Sequence, residues 1–141
     1  MVIPLDILDQ FNKNPLYLTV GIRLEEAGGG KARSLLEPRP EVCWPFPHQP
    51  HGGMLFTIMD TTMAWAIQSM LADGLGCTTI DLAIQYLAPA REGPFTCRAE
   101  TTHQTGRLAF VRSDILDAQK RPVASGQGTF RIIKMDFLPN Y

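Results

Sequence analysis

His51, Gly52 and Gly53 stand together, and a single aspartate, Asp60, follows in a run that carries no other charge as far as Met70. A glycine pair opening a helix leaves first-turn N–H groups unpaired, and such groups are ready donors for an oxyanion. Glycines also let a substrate carbonyl approach that backbone closely. Polarising an ester or thioester oxygen in this way is worth roughly 3 kcal/mol in a transition state. Asp60 supplies the second element of acyl-transfer chemistry, a carboxylate able to attack a carbonyl or to activate water. A buried carboxylate is costly unless it is paired, hydrogen-bonded or in contact with water at a site.

The spacing sets a constraint. Asp60 lies about 10–12 Å beyond the glycines along the same helix axis. A carbonyl held at Gly52 or Gly53 therefore cannot also touch Asp60 of its own helix. Either Asp60 serves something else, or a second copy of the helix runs antiparallel beside the first. Two-fold symmetry supplies the second arrangement and gives two composite sites per dimer.

The remaining polar candidates are weaker. His51 and His48 are general bases by residue type, although a histidine at a helix entry also serves simply to hydrogen-bond the loop. Arg91, Arg107 and Arg112 follow or flank turns and read first as solvated charges. Arg91 and Arg107 would also suit phosphates of an extended ligand at a sheet end. Met54, Met59, Met63 and Met70 read as core, or as an adaptable apolar wall for an acyl chain, with Trp65 beside them. No Gly-x-Ser-x-Gly elbow and no Gly-x-x-x-x-Gly-Lys loop is present, so a serine hydrolase or P-loop reading has no support.

Composition narrows the classes further. The 141 residues suit one domain, 1–141, and 45% hydrophobic with 19% charged residues is ordinary for a soluble globular protein. A net charge of −1 without a basic stripe argues against nucleic acid. Cys43, Cys77 and Cys97 are odd in number, widely spaced and outside any CxxC motif, which supports neither a disulfide framework nor zinc. They fit a reducing cytoplasm. The N-terminal residues show no basic start followed by an apolar run, so no targeting segment is expected. Asp60, Gln68 and the threonines of the apolar run favour a buried soluble helix over a membrane span.

The elements that must position these residues follow from periodicity. Ile3, Ile7, Leu8 and Phe11 predict a short helix over 4–11, and Leu16 to Leu24 predicts a strand. Gly28-Gly29-Gly30 turns into a returning strand, Ala32 to Leu36. Residues 37–50, with five prolines around Trp44 and Phe46, predict an ordered loop, neither helix nor strand. The long helix starts at Gly52 and is expected to end near Gly74, a suitable C-cap. After it the period becomes two, with Ile80, Leu82, Ile84 and Tyr86 or Leu87 on one face of Cys77–Leu87. Phe95–His103, Leu108–Asp117 and Val123–Lys134 complete four strands. Asp136 to Tyr141 carry no readable signal. A helix between β-runs without βαβ alternation predicts an α+β fold, an antiparallel sheet with one face on the helix.

His51-Gly52-Gly53 with Asp60, Thr79 to Ala90 as the strand after the helix, and Gly106-Arg107-Leu108-Ala109-Phe110 as a tight turn together resemble the hotdog-fold acyl-CoA thioesterases of the phenylacetate-degradation type. The resemblance covers most of residues 48–133. It implies a long helix wrapped by a curved antiparallel sheet, in dimers joined sheet edge to sheet edge and often paired into tetramers. Gly52 or Gly53 would polarise the thioester carbonyl through backbone N–H, and Asp60 of the partner subunit would be the nucleophile or the base. Thr79 falls where the family carries a hydroxyl that helps position the water. CoA would lie at the subunit interface, its phosphates near Arg91 and Arg107, with no metal or organic cofactor. One departure is Pro45, six residues before His51, where this type usually has Asn or Gln; His48 or Gln49 is the expected replacement. Two other readings share the fold. An acyl-thioester dehydratase would need a histidine where Pro45 stands and a helix glutamate where Asp60 stands. A non-catalytic acyl-CoA binder would have lost part of the site.

Overall fold

The structure, a computed structural model, describes residues 1–135. The C-terminal stretch 136–141 lies outside the described residues. The chain runs α1 (Leu5–Phe11), α2 (Pro15–Val20), β1 (Ile22–Gly28), β2 (Lys31–Leu36), α3 (Pro40–Cys43), α4 (Gly52–Gln68), β3 (Leu75–Tyr86), β4 (Phe95–Gln104), β5 (Leu108–Leu116) and β6 (Pro122–Lys134). The six strands form one antiparallel sheet in the order β1-β2-β4-β5-β6-β3. The connection through α4 therefore carries the chain from one side of the sheet to the far edge, where β3 has one side free among the described residues.

Helix α4 lies on one face of that sheet and touches all six strands. Leu55, Ile58, Met59, Met63, Ala66 and Ile67 are fully buried against it. Each large side chain among them contributes roughly 1.5–3 kcal/mol on leaving water. Two glycines on β6 permit the close approach. A Cβ on Gly126 would overlap Met59 Sδ, and one on Gly128 would stand 2.7 Å from Met63 Sδ and 2.9 Å from the Phe130 ring. Inside this interface Thr62 Oγ1 donates to Ile58 O at 2.7 Å and, with its one proton so used, accepts from the Ser34 hydroxyl at 3.0 Å, so the buried hydroxyls are satisfied.

Four expectations are corrected. Residues 16–20 are helical, not strand. Asn14 Oδ1 caps Leu16 N at 2.9 Å, Pro15 occupies the first turn, and Gly21 closes the helix in the left-handed region at φ 96°. The proline-rich segment contains a short helix, α3, with Pro40 in its first turn. The long helix stops at Gln68, short of Gly74, because Ser69 Oγ accepts from Gly30 N at 2.9 Å and fastens the helix end to the β1–β2 turn. In β3 a bulge between Thr79 and Asp81 shifts the register, leaving Ile80 57% exposed, so the alternation does not run through it.

Candidate active site

Strand β3 is tied to α4 by side-chain hydrogen bonds at two points. At the bulge Thr79 Oγ1 donates to Asp60 Oδ1 at 2.6 Å. At the strand's last residue the Tyr86 hydroxyl donates to Gly52 O at 2.7 Å. Before the bulge Leu75, Cys77 and Thr79 turn towards the helix; beyond it Leu82, Ile84 and Tyr86 do so. The bulge is what brings both Thr79 and Tyr86 to the helix side.

At the helix start, His51 is the N-cap, and its Nδ1 accepts the Gly53 N–H at 2.8 Å. Each glycine of the pair makes room for a ring. A Cβ on Gly52 would stand 3.1–3.2 Å from the Tyr86 ring and hydroxyl, and one on Gly53 would stand 2.8 Å from His51 Nδ1. His51 thus fixes the helix entry with its imidazole, and it is an exposed residue.

Asp60 is half-buried, on the helix side of β3. Its charge is felt by Cys77, whose thiol is pushed up to about 12 by burial first and by Asp60 second. Cys77 Sγ in turn lies 3.7 Å from Ala64 O, one helical turn beyond Asp60. Cys77 and Ala64 both line an apolar chamber of about 630 Å³, together with Phe11, Trp65, Gln68 and Ile7. Ile7 and Phe11 make α1 one wall of it, beside the second half of α4. Trp65 Nε1 donates to the Tyr17 hydroxyl at 3.1 Å, and its ring meets Phe11 edge-on at 4.7 Å. Gln68 Nε2 donates to Leu75 O at 3.0 Å, keeping one amide at the chamber wall.

The other candidates spread out. Met54 packs against the core from the first turn of α4 and does not line the chamber. His48 has φ 59°, and its Nδ1 pairs with the Glu92 carboxylate while its ring packs on Trp44. Gln49 is exposed and bridges back to Phe46 through backbone. In one chain, therefore, neither His48 nor Gln49 bonds to Asp60 or the glycines. Arg91 follows β3, whereas Arg107 lies in the β4–β5 turn, where Leu108 pairs with Arg131 and Arg131 with Thr78. The two arginines sit at opposite ends of the edge strand, and both are exposed. Among the described residues no three His, Cys, Asp or Glu side chains are grouped to hold a metal. Nor is any helix there long and apolar enough to cross a membrane. Sequence reasoning missed Tyr86 as a partner of the glycines and α1 as a chamber wall. A tyrosine at the end of the strand, with glycine where it lands, was the available signal for the first.

Comparison with known proteins places this geometry. The family model described as the thioesterase superfamily matches residues 50–124. Over 126 residues the chain is 29% identical to a Halobacterium salinarum protein named "Putative esterase", covering 83% of each chain. It is 32% identical over 79 residues to the acyl-coenzyme A thioesterase PaaI of Escherichia coli, covering 55% of this chain and 54% of that one. The crystal structure of a Haemophilus influenzae thioesterase superposes with a TM-score of 0.87 at 20% identity, over 97% of this chain and 95% of that one. The long helix against a six-stranded antiparallel sheet is the hotdog fold, α+β in class. With the family model matching residues 50–124 and the fold in agreement, the chain belongs to the thioesterase superfamily, the class that hydrolyses thioesters.

Proposed function

We propose that the protein hydrolyses an acyl-CoA thioester to the free acid and CoA at a site shared by two copies of a single hotdog domain. The observation that carries this reading is the pair of contacts along β3. Asp60 is tied to Thr79, and the Gly52–Gly53 turn is tied to Tyr86. Among the described residues one side of β3 is unpaired, and Ile80, Tyr86 and Leu87 on or beside it are 51–57% exposed. A long free edge with apolar side chains is a template for a second strand.

Opposed residues of an antiparallel pair share a face. A two-fold axis at Ala83 sets Leu82 against Ile84 of the partner, and Tyr86 against the partner's Thr79–Ile80 bulge. Helix-facing residues then meet helix-facing residues. The same pairing carries Asp60 of one chain towards Gly52 and Gly53 of the other, closing a gap that a single helix leaves open. It also takes Arg91 of one chain to the end of the sheet that bears the partner's Arg107, where two cations would suit the phosphates of CoA.

In this reading the Gly53 N–H, with Gly52 beside it, donates to the thioester oxygen as it gains charge. Asp60 either attacks the carbonyl carbon, giving a mixed anhydride that water then hydrolyses to restore the carboxylate, or takes a proton from the water that attacks directly, with Thr79 holding the carboxylate. The C–S bond breaks, and the thiolate leaves as the CoA thiol after taking up a proton. Water supplies the second carboxylate oxygen, so no cofactor enters. His51 sets the helix entry. The apolar chamber one turn beyond Asp60 receives the acyl group, with Trp65 and Phe11 as its aromatic walls. A homodimer, or a pair of dimers, follows from the same edge pairing.

The test is thiol release from short, medium and phenyl-substituted acyl-CoAs by wild type and Asp60→Asn. Turnover by wild type that falls roughly 10²–10⁴-fold in the variant is the expected result. Equal release by both would sink the role of Asp60. Release by neither, with binding intact, would favour the binder reading. Pro45 and the His51 cap on Gly53 N–H are the observations on its side.

A further inference from the structure

Resting on that reading, we propose that Tyr86 is a positioning residue, one that holds and polarises the Gly52–Gly53 peptide so that its N–H becomes a stronger donor to the thioester oxygen. The argument starts from a covalent fact. The carbonyl of Gly52 and the N–H of Gly53 belong to one peptide group, and resonance couples its two ends. Tyr86 donates its hydroxyl to the carbonyl end at 2.7 Å. A hydrogen bond at the oxygen withdraws density from the nitrogen and sharpens the N–H, the cooperative effect known for chains of hydrogen bonds.

The fit is built in from both sides. Gly52 leaves the space that the phenol occupies, since a Cβ there would stand within 3.1–3.2 Å of its ring and oxygen. Packing does not explain the contact. Tyr86 is 51% exposed, so its hydroxyl holds no core together. The carbonyl it meets lies in the first turn of a helix, where the C=O groups already have acceptor duty within the helix.

The other end of the peptide is already engaged. Gly53 N–H donates to His51 Nδ1, and a substrate carbonyl must displace that imidazole to reach it. A better-polarised N–H favours the exchange most when the incoming oxygen carries negative charge, that is, in the transition state. Tyr86 therefore acts on kcat more than on KM. It also stands on the free edge strand, so pairing of that edge with a second chain would fix the phenol as the composite site forms.

Tyr86→Phe keeps the ring and removes the bond. The expected result is a kcat lower by roughly three- to tenfold with KM within about twofold, less than the loss of a direct oxyanion donor. A second readout needs no turnover. In a glycine-labelled sample the Gly53 amide proton resonance moves upfield in Tyr86→Phe as its hydrogen bond weakens, while Gly106, remote in the β4–β5 turn, stays in place. An active wild type with kcat unchanged in Tyr86→Phe overturns the proposal, and so does an unmoved Gly53 resonance. A wild type that releases thiol from no acyl-CoA overturns the thioesterase reading instead, and this role falls with it.

Discussion

At the scale of the residue, His51 is where the functional reading and the geometry pull apart. By type it could be a base, but its Nδ1 is spent on the Gly53 N–H. A cap and a base differ in what their loss costs. Removing a cap costs about 0.5–2 kcal/mol of stability, and the exposed position of His51 places it at the low end because water can reach the amide left behind. Removing a base costs roughly 10²–10⁴-fold in rate. His51→Ala is expected to lower the melting temperature by about 2–4 °C while keeping kcat within about tenfold of wild type. Thermal unfolding and thiol release on one preparation separate the two roles. Most of the candidate site was legible here, because a glycine pair, a lone acid and a following Thr-x-Asp strand are local patterns. Tyr86 was not, since its contact with Gly52 spans 34 residues and depends on a bulge that period-two alternation does not announce.

The elements show the same division between local and distant causes. The α4 start and the β4, β5 and β6 strands fall close to where periodicity puts them. Leu16–Val20 reads as strand by residue type, and yet Asn14, Pro15 and Gly21 make it a helix, a case of caps deciding against propensity. The far end of α4 was illegible for another reason. Its stop is set by Ser69 meeting Gly30, a contact with the hairpin turn that no window on the helix contains. How tightly α4 sits on the sheet rests on Gly126 and Gly128, each facing a helix methionine. Gly128→Val would press on Met63 and on the less compliant Phe130 ring, both buried. Overpacking of this kind costs about 1–3 kcal/mol. The expected outcome is a melting temperature lower by about 3–10 °C, and lower turnover as well, since Met63 lies within one turn of Asp60. Gly106→Val, where nothing stands within 4 Å, is the matched control and should leave both quantities nearly unchanged.

For the whole molecule the question is whether one chain suffices. Along α4 the donors and the acid are separated by about 10 Å of helix, and each is fastened to a different point on the edge strand, the acid at the bulge and the glycine turn at its last residue. That fastening argues against the helix bending to bring them together, since Thr79 and Tyr86 would have to move with it. A shared site makes a prediction that a self-contained one cannot. Asp60→Asn removes the acid. Gly53→Pro removes the donor N–H at a first-turn position where a helix tolerates proline. Each variant alone has a defect in every site and should be inactive. Mixed and allowed to exchange subunits, they form heterodimers in which the intact glycine turn of one chain faces the intact acid of the other, while the second site carries both defects. With random exchange of equal amounts, half the dimers hold one good site in two, so activity should recover to about a quarter of wild type. Recovery that tracks subunit exchange would require acid and donor to come from different chains. No recovery, with exchange demonstrated by mass, would mean that each chain completes its own site and that the free edge of β3 serves assembly alone.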